Sequence, residues 1–303
     1  MPIEARFEIQ QGGSVRVIHA YERPMKSRKR SDQLTPNDAK YLDVILDPIR
    51  VCAKYRPKFG QGQGAGLTLE QFQALYQEDP FYNWFGLDNP LMYAAHKAAG
   101  GMTSVYRQIG IGCERLFRRV LQDSLGLSPE AVVWSYEITG ASGKKRTLYL
   151  DGRVPVAEIP NQPARARFQD WMRDSAAAVG VESGIFAALA GAVFEVRQGY
   201  KSKDSKRQNA DIANAATAYI KGYFPCAVIL SAQIDSDILI RYRAEKWSVL
   251  TGLTGANDPL RSTYDFTREV VGYDLAAFFE RNKRKLREEI DEVLRALLTP
   301  EAK

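Results

Sequence analysis

Residues 194–211 most constrain this chain, because they place charges inside a pattern typical of a buried strand. Apolar residues alternate with Glu195 and Arg197, so the spacing predicts a strand over residues 190–198 with both charged side chains on one face. Burying a charge is unfavourable unless the charge is paired or binds a metal. Glu195 and Arg197 are therefore expected to form either a structural ion pair or part of a site.

A helix is predicted directly after this strand, over residues 205–222, and its first turn is crowded with polar and charged side chains. Such side chains can donate to and accept from base edges in a DNA groove. Basic residues also cluster at residues 26–30, and the whole chain carries a net charge of +6. A solvated surface is the ordinary interpretation of a basic run, and a phosphate contact at residues 26–30 is the functional alternative.

The composition argues against two classes of hydrolytic site. His19 and His96 are the only histidines, and neither lies at a telling spacing from a serine, a cysteine or another metal ligand. Cys52, Cys113 and Cys226 form neither a disulfide pattern nor a zinc pattern, and Cys226 is predicted to be a buried core thiol. Any hydrolytic chemistry must therefore rest on carboxylates, lysine or arginine, and a bound metal.

No apolar run approaches the roughly 18 residues of a membrane span, and the N-terminus lacks the layout of a secretory signal. We therefore expect a cytoplasmic protein without a membrane partner. The glycine-rich run at residues 60–66 lacks the Gly-Lys-Ser/Thr ending of a phosphate loop, so no nucleotide cofactor is expected.

The order of predicted elements favours an α/β fold with a mixed central β-sheet flanked by helices. Residues 1–100 are predicted to form an N-terminal hairpin and a mainly helical subdomain, and residues 101–303 a second domain. A cluster of aromatic residues in the first part is predicted to lie in the core rather than to stack on bases; it consists of Phe81, Tyr82, Trp84 and Phe85. The elements predicted for the second part are helices over 103–125, 162–178 and 273–298, and strands over 131–138, 146–151 and 225–232.

Asp151 ends an apolar strand and is followed by Gly152. That position suits a carboxylate that holds a metal at the edge of a sheet, and it equally suits a plain strand-to-turn junction. Hydrolysis of a phosphodiester requires carboxylates that hold a divalent metal, and it benefits from a nearby lysine or arginine. Asp151, Glu195 and Arg197 supply those residue types.

Asp151 with Glu195-Val196-Arg197 resembles the PD-(D/E)xK nuclease pattern, although Leu150 replaces the proline and Arg197 occupies the usual lysine position. Residues 201–209, KSKDSKRQN, resemble the recognition segment of type II restriction endonucleases that read a CCGG core. The resemblance spans roughly residues 103–250 and implies a restriction-endonuclease-like core over residues 101–303.

The resemblance implies that Asp151, Glu195 and the helix-borne Glu114 hold Mg²⁺. It leaves the catalytic cation open between Arg197 and Lys201. Because lysine changes its protonation state more readily than arginine, a proton-transfer role favours Lys201 and pure charge stabilisation allows Arg197. Asp211 is either a further metal ligand or a charge that is favourable at the start of a helix.

The resemblance also implies readout of base pairs by the start of the following helix. In that role Asp204 accepts from cytosine amino groups, and Lys206 and Arg207 donate to guanine. The full set of DNA-binding residues expected from the resemblance is Lys203, Asp204, Ser205, Lys206, Arg207 and Gln208.

The function expected from these features is that of a restriction endonuclease in a restriction–modification system, a Mg²⁺-dependent hydrolase that cuts double-stranded DNA. A palindromic site calls for a homodimer. Two alternatives stay open. One is a PD-(D/E)xK repair or junction nuclease without base readout, and the other is a non-catalytic DNA-binding protein in which Glu195 and Arg197 form a structural pair. A small-molecule α/β enzyme has no cofactor loop or catalytic histidine to support it.

Overall fold

The structure is a computed structural model that describes residues 35–59, 66–139, 145–199 and 214–299. The predicted N-terminal hairpin and the basic run at residues 26–30 lie outside the described residues. Among the residues that are described, even the longest helix lacks the apolar stretch that a membrane crossing requires.

Helices account for most of the described chain. They are α1 (Asp38–Arg50), α2 (Leu69–Glu78), α3 (Pro80–Trp84), α4 (Pro90–Leu125), α5 (Gln162–Ala178), α6 (Ser183–Ala187), α7 (described over residues 214–220), α8 (Ser236–Ala244), α9 (Thr263–Asp265) and α10 (Leu275–Leu298). A π-helical stretch, Phe266–Val271, continues α9, and short 3₁₀ turns cover Val51–Lys54 and Val156–Glu158.

The described strands form two sheets. A two-stranded antiparallel hairpin joins β1 (Trp134–Thr139) to β2 (Lys145–Leu150), and a four-stranded sheet has the order β3-β4-β5-β6. Its strands are β3 (Gly152–Pro155), β4 (Gly191–Arg197), β5 (Tyr223–Ile229) and β6 (Ser248–Leu250). Edge strand β3 runs antiparallel to β4, whereas β4, β5 and β6 are parallel. The predicted α/β class with a mixed central sheet is therefore confirmed.

Two hydrophobic cores lie on the two faces of the central sheet, because alternate side chains of a strand point to opposite faces. Phe194, Val196 and Cys226 belong to the larger core, together with residues of α1, α4, α5 and α10. Val193 and Ala227 belong to the smaller core, together with residues of the hairpin, α7 and α8. Since β4 and β5 are covered on both faces, they appear in the sequence as nearly continuous apolar runs.

Three helices, α1, α4 and α10, pack against one another on the larger core. Two arginine–carboxylate pairs tie α1 to α10. Arg281 donates to both carboxylate oxygens of Asp38 at 3.0 Å, and Arg50 donates to both oxygens of Glu289 at 2.9 and 2.8 Å. Bidentate pairs of this kind fix orientation as well as charge. They set the register between the first described helix and the last.

The predicted boundary at residue 100 falls inside α4, which continues from Pro90 to Leu125. Because α1 and α10 both pack on this helix, the described residues from Thr35 onward belong to one compact unit. The helix begins 13 residues earlier than the predicted 103, at an Asn89 side chain that accepts from the backbone of Met92 at 3.0 Å. Asn89 followed by Pro90 is a helix-start signal that the sequence contains.

The prediction that the aromatic cluster lies in the core is wrong. Phe81, Trp84 and Phe85 are exposed by 59%, 80% and 67%, and Tyr82 by 39%. The side chains lie on α3, a helix of five residues, and on the turn that follows it. So short a helix buries little of its surface, and Tyr82 instead stacks on Tyr76 of α2 with a centroid distance of 4.6 Å.

Gly112 allows α4 to approach α1 closely. A Cβ atom at this position would lie 2.5 Å from the carbonyl oxygen of Ile45, which is nearer than real Cβ atoms come. A Cβ atom at Gly110, two residues earlier, would have no other atom within 4 Å. The two glycines therefore have different roles, although both lower helix propensity.

We predict that Gly112→Ala lowers the free energy of unfolding by about 1–3 kcal/mol, because the backbone of α1 has to move away. The matched control is Gly110→Ala, which should be neutral or stabilise by up to about 1 kcal/mol through helix propensity. Urea unfolding followed by circular dichroism measures both. Equal effects of the two substitutions would contradict the close contact with Ile45.

The pairing of Asp38 with Arg281 predicts a loss of stability in acid. Burial by itself would raise the pKa of Asp38, but hydrogen bonds from Arg281 and Thr35 outweigh it and lower that pKa from 3.8 to about 2. A lowered pKa stabilises the folded state above pH 4, and this contribution is lost as the pH falls from about 4 towards about 2. Asp38→Asn should therefore destabilise the protein at neutral pH, and its deficit relative to the wild type should shrink towards pH 2. Unfolding curves across this range test it, with the exposed Asp291→Asn as the control that should not change the profile.

Candidate active site

Asp151 occupies the bend between β2 and β3, where the chain passes from the hairpin into the central sheet. Its backbone N–H donates to the carbonyl oxygen of Phe194 at 2.8 Å. Its carboxylate oxygen Oδ2 accepts from the backbone N–H of Val196, also at 2.8 Å. These two bonds hold the Asp151 side chain against β4, at the level of Glu195.

Glu195 and Arg197 lie on one face of β4, as the alternation predicts, and Phe194 and Val196 pack into the larger core on the other face. The Arg197 guanidinium forms an ion pair with the Glu195 carboxylate. Both side chains are almost buried, with 11% of Arg197 and 7% of Glu195 exposed. The charges on this strand are therefore paired in the structure.

Asp151 and Glu195 are neighbours across the two strands. Asp151 directly precedes Gly152, which pairs with Phe194 in the antiparallel register of β3 and β4. Asp151, in the bend before β3, and Glu195, on β4, are therefore neighbours in the fold, near the C-terminal end of β4.

Helix α4 runs along β4 in the opposite direction and brings Glu114 towards the same end. Phe117 contacts Phe194 with ring centroids 5.4 Å apart, and Arg118 donates from Nε to the carbonyl oxygen of Asp151 at 2.8 Å. Glu114 lies one helical turn before Arg118. It is therefore further than Arg118 towards the C-terminal end of β4, on the side of the sheet occupied by Phe194, whereas Glu195 lies on the opposite side.

The donor chemistry of Asp151 and Glu195 fits a divalent cation, because carboxylate oxygens are the ligands that Mg²⁺ prefers. In the described residues, however, no three carboxylate, histidine or cysteine side chains are grouped closely enough to hold a metal. Arg197 also neutralises Glu195 in this arrangement. The set of Asp151, Glu195 and Glu114 therefore stays a prediction, of which the structure brings together the first two.

The remaining predicted site residues lie outside the described residues, between residues 200 and 213. They comprise Lys201, Asp211 and the six DNA-binding residues Lys203, Asp204, Ser205, Lys206, Arg207 and Gln208. The described chain ends at Gly199, two residues after Arg197, and resumes at Asn214.

A cleft of about 420 Å³ lies at the end of β4, lined by Gln198 and Gly199 on one side and by Tyr106 and Cys113 of α4 on the other. Burial, together with the charge of Glu114, raises the pKa of the Cys113 thiol to about 12. The thiol is therefore protonated at neutral pH and is not a nucleophile.

No protein-family model, curated protein or solved structure matches this chain. The functional conclusion therefore depends on the geometry of the site.

Arg118 is a site residue that the sequence-based prediction missed. It holds the backbone of Asp151 from a helix 33 residues earlier in the chain, which is a contact between distant segments. The one available signal was its spacing of four residues from Glu114, which puts the two side chains on the same side of a helix.

We predict strong coupling between Glu195 and Arg197. Glu195→Ala should lower the free energy of unfolding by about 3 kcal/mol, because it removes the carboxylate that pairs with a nearly buried guanidinium. The double substitution Glu195→Ala/Arg197→Ala should cost about 0.5–3 kcal/mol less than the sum of the two single substitutions. Denaturant unfolding of the four proteins in this cycle measures the difference.

The matched control is the exposed pair of Lys145 and Glu137, which are 3.5 Å apart on the hairpin. The same cycle there should give a coupling of about 0.5 kcal/mol or less, since water screens both charges. Additive effects at Glu195 and Arg197 would show that their ion pair contributes nothing to stability.

Proposed function

We propose that this protein is a Mg²⁺-dependent endonuclease that cuts double-stranded DNA at a specific palindromic sequence, as type II restriction endonucleases do. The observation that carries the proposal is the attachment of Asp151, in the bend before β3, to β4 directly beside Glu195. The Asp151 carboxylate is already fixed there by the Val196 N–H at 2.8 Å. A carboxylate with a defined orientation is what a metal-binding position requires.

In this proposal Asp151 and Glu195 would hold the metal, and Glu114, on the other side of the sheet, would join them only if its side chain reaches around the end of β4. Mg²⁺ supplies activation of water and neutralisation of charge on the phosphate. Arg197 lies beside Glu195 and can turn from that carboxylate to the phosphate, where it stabilises negative charge. Lys201 follows within four residues and is the alternative cation for proton transfer.

The position of residues 200–213 supports base readout next to this site. The segment begins directly after β4, whose end carries Glu195 and Arg197. Residues 203–208 would then read a site that contains CCGG, through hydrogen bonds between their polar side chains and base edges in the major groove. A palindrome requires two such surfaces, which is why the proposal includes a homodimer.

The topology supports a restriction-endonuclease-like core as part of the same proposal. The acidic residues come from the bend before β3 and from β4, two further strands extend the sheet in parallel, and a long helix covers one face. A cytoplasmic location belongs to this proposal as well, because the substrate is DNA.

A second candidate is a DNA-binding protein without catalysis. The ion pair between Glu195 and Arg197 favours it, because a carboxylate that is neutralised by a neighbouring guanidinium has a purely structural use. A repair or junction nuclease would share the carboxylate site but lack readout by residues 203–208.

We predict that Asp151→Asn reduces DNA cleavage in Mg²⁺ by about 10²–10³-fold, the size expected when a group that supports transition-state charge is removed. The amide oxygen of asparagine can still accept from the Val196 N–H, so the fold and DNA binding in Ca²⁺ should be preserved. The control is Asp170→Asn, an exposed aspartate on α5 that pairs with Arg173, and it should cleave like the wild type. Cleavage by Asp151→Asn at the wild-type rate would contradict the metal assignment.

Digestion of a plasmid of known sequence, followed by sequencing of the ends, separates the candidate functions. Fragments with a common end sequence support a site-specific endonuclease, and cuts that follow DNA structure support a repair or junction nuclease. Specific binding without any cut in Mg²⁺ supports the non-catalytic alternative.

A further inference from the structure

Three arginines of α4 line a groove beside Asp151. The groove has a volume of about 300 Å³ and lies between α4 and α1; its lining residues are Val44, Asp47, Arg115, Arg118, Arg119 and Gln122. The arginines are three and four residues apart on one helix, so their side chains converge on the same surface.

Two of these arginines carry charge that no carboxylate neutralises in the described part of the chain. Arg118 donates from Nε to a backbone carbonyl, which is a neutral acceptor. Arg115 is exposed and forms no ion pair with a described carboxylate. Both therefore keep their positive charge at the surface of the groove.

The acidic residues near the groove, Asp123 and Asp47, already take part in ion pairs. Asp123, which pairs with Arg119 at 3.1 Å, is shared with Lys40 at 2.8 Å, so two cations meet one carboxylate. Asp47, on the opposite wall, pairs with Arg50 at 3.0 Å, and Arg50 is shared with Asp43 and Glu289. Three arginines and a single carboxylate line the groove, and this excess of positive charge favours an anionic ligand.

The location of the groove indicates which anion it takes. Arg118 touches the carbonyl oxygen of Asp151, and Asp151 precedes β3, the edge strand of the central sheet. The groove thus adjoins the backbone of Asp151, whose carboxylate the proposed function assigns to the metal. An arginine cluster with forked N–H donors is suited to phosphate oxygens.

We infer that Arg115, Arg118 and Arg119 bind a backbone phosphate of the DNA, next to the phosphate that is cut. This inference rests on the proposed function, since it identifies a second contact of the same substrate. The contact is independent of sequence, because phosphates are common to all base pairs, and it positions the strand beside Asp151.

The test is the salt dependence of binding to a mixed-sequence duplex, measured with the full chain in Ca²⁺. The variant is Arg115→Gln/Arg119→Gln, which spares Arg118 and with it the contact to Asp151. Losing one phosphate contact should make the slope of the logarithm of the DNA-binding constant against the logarithm of the salt concentration less steep by about 1. It should also weaken binding about fivefold at 0.15 M salt, whatever the DNA sequence. The matched control is Arg284→Gln/Arg295→Gln, two exposed arginines of α10 that should leave the slope unchanged.

An unchanged slope in Arg115→Gln/Arg119→Gln overturns the inference. If the slope is unchanged but the wild type cleaves DNA in Mg²⁺, the proposed nuclease function stands without the phosphate contact at the arginine groove. If the slope falls in the variant while the wild type does not cleave, the phosphate site stands and the nuclease proposal fails.

A second experiment uses inorganic phosphate as the ligand. At matched ionic strength, its effect on the melting temperature is compared between the wild type and the same double variant. Stabilisation of the wild type alone, together with unchanged DNA binding in the variant, would assign the groove to a free anion and overturn the DNA contact. Stabilisation of the wild type alone together with a reduced slope supports it.

Discussion

The hydrogen bond from the Val196 N–H to the Asp151 carboxylate is the interaction on which the site depends. At this point the chain leaves the hairpin sheet and enters the central sheet, so Asp151 ends one sheet and begins the other. Its backbone and its side chain both bond to β4. Without these bonds the edge strand would lose its first contact with β4, and the carboxylate would lose its orientation. The same residue therefore serves the fold and the proposed chemistry.

The buried charges of β4 have two possible uses, a structural ion pair or a part in the proposed metal site. A carboxylate as buried as Glu195 is costly unless it is compensated, and Arg197 compensates it in the structure. A divalent cation would compensate it more strongly and would free the guanidinium for an anionic substrate. In the proposed function, the ion pair is then the resting arrangement of the site, and binding of metal and DNA exchanges the partners of both residues. In the non-catalytic alternative the same pair is permanent.

The sequence predicted local structure well and distant contacts poorly. The predicted helix 162–178 and the helix Gln162–Ala178 agree, because Asn161 caps the first turn and apolar residues recur at helical spacing. The strand at 190–198 is recovered as Gly191–Arg197, and with it the shared face of Glu195 and Arg197. Exposure of the aromatic cluster could not be deduced, since composition does not show whether a five-residue helix has a partner. The contact of Arg118 with Asp151 joins segments far apart in the chain, so no local pattern contains it.

The exposed aromatic cluster and the arginine groove also differ in charge, which bears on where DNA can lie. Residues 67–96 contain Glu70, Glu78, Asp79 and Asp88 but no lysine or arginine. A surface of this composition repels a phosphate backbone, so the aromatic side chains of α3 are poorly suited to stack on DNA bases. The groove at Arg115, Arg118 and Arg119 lies towards the other end of α4, more than 20 residues further along the helix. The segment that precedes α4 is therefore acidic and rich in exposed aromatic residues, whereas the cationic groove lies near the end of α4 and adjoins Asp151.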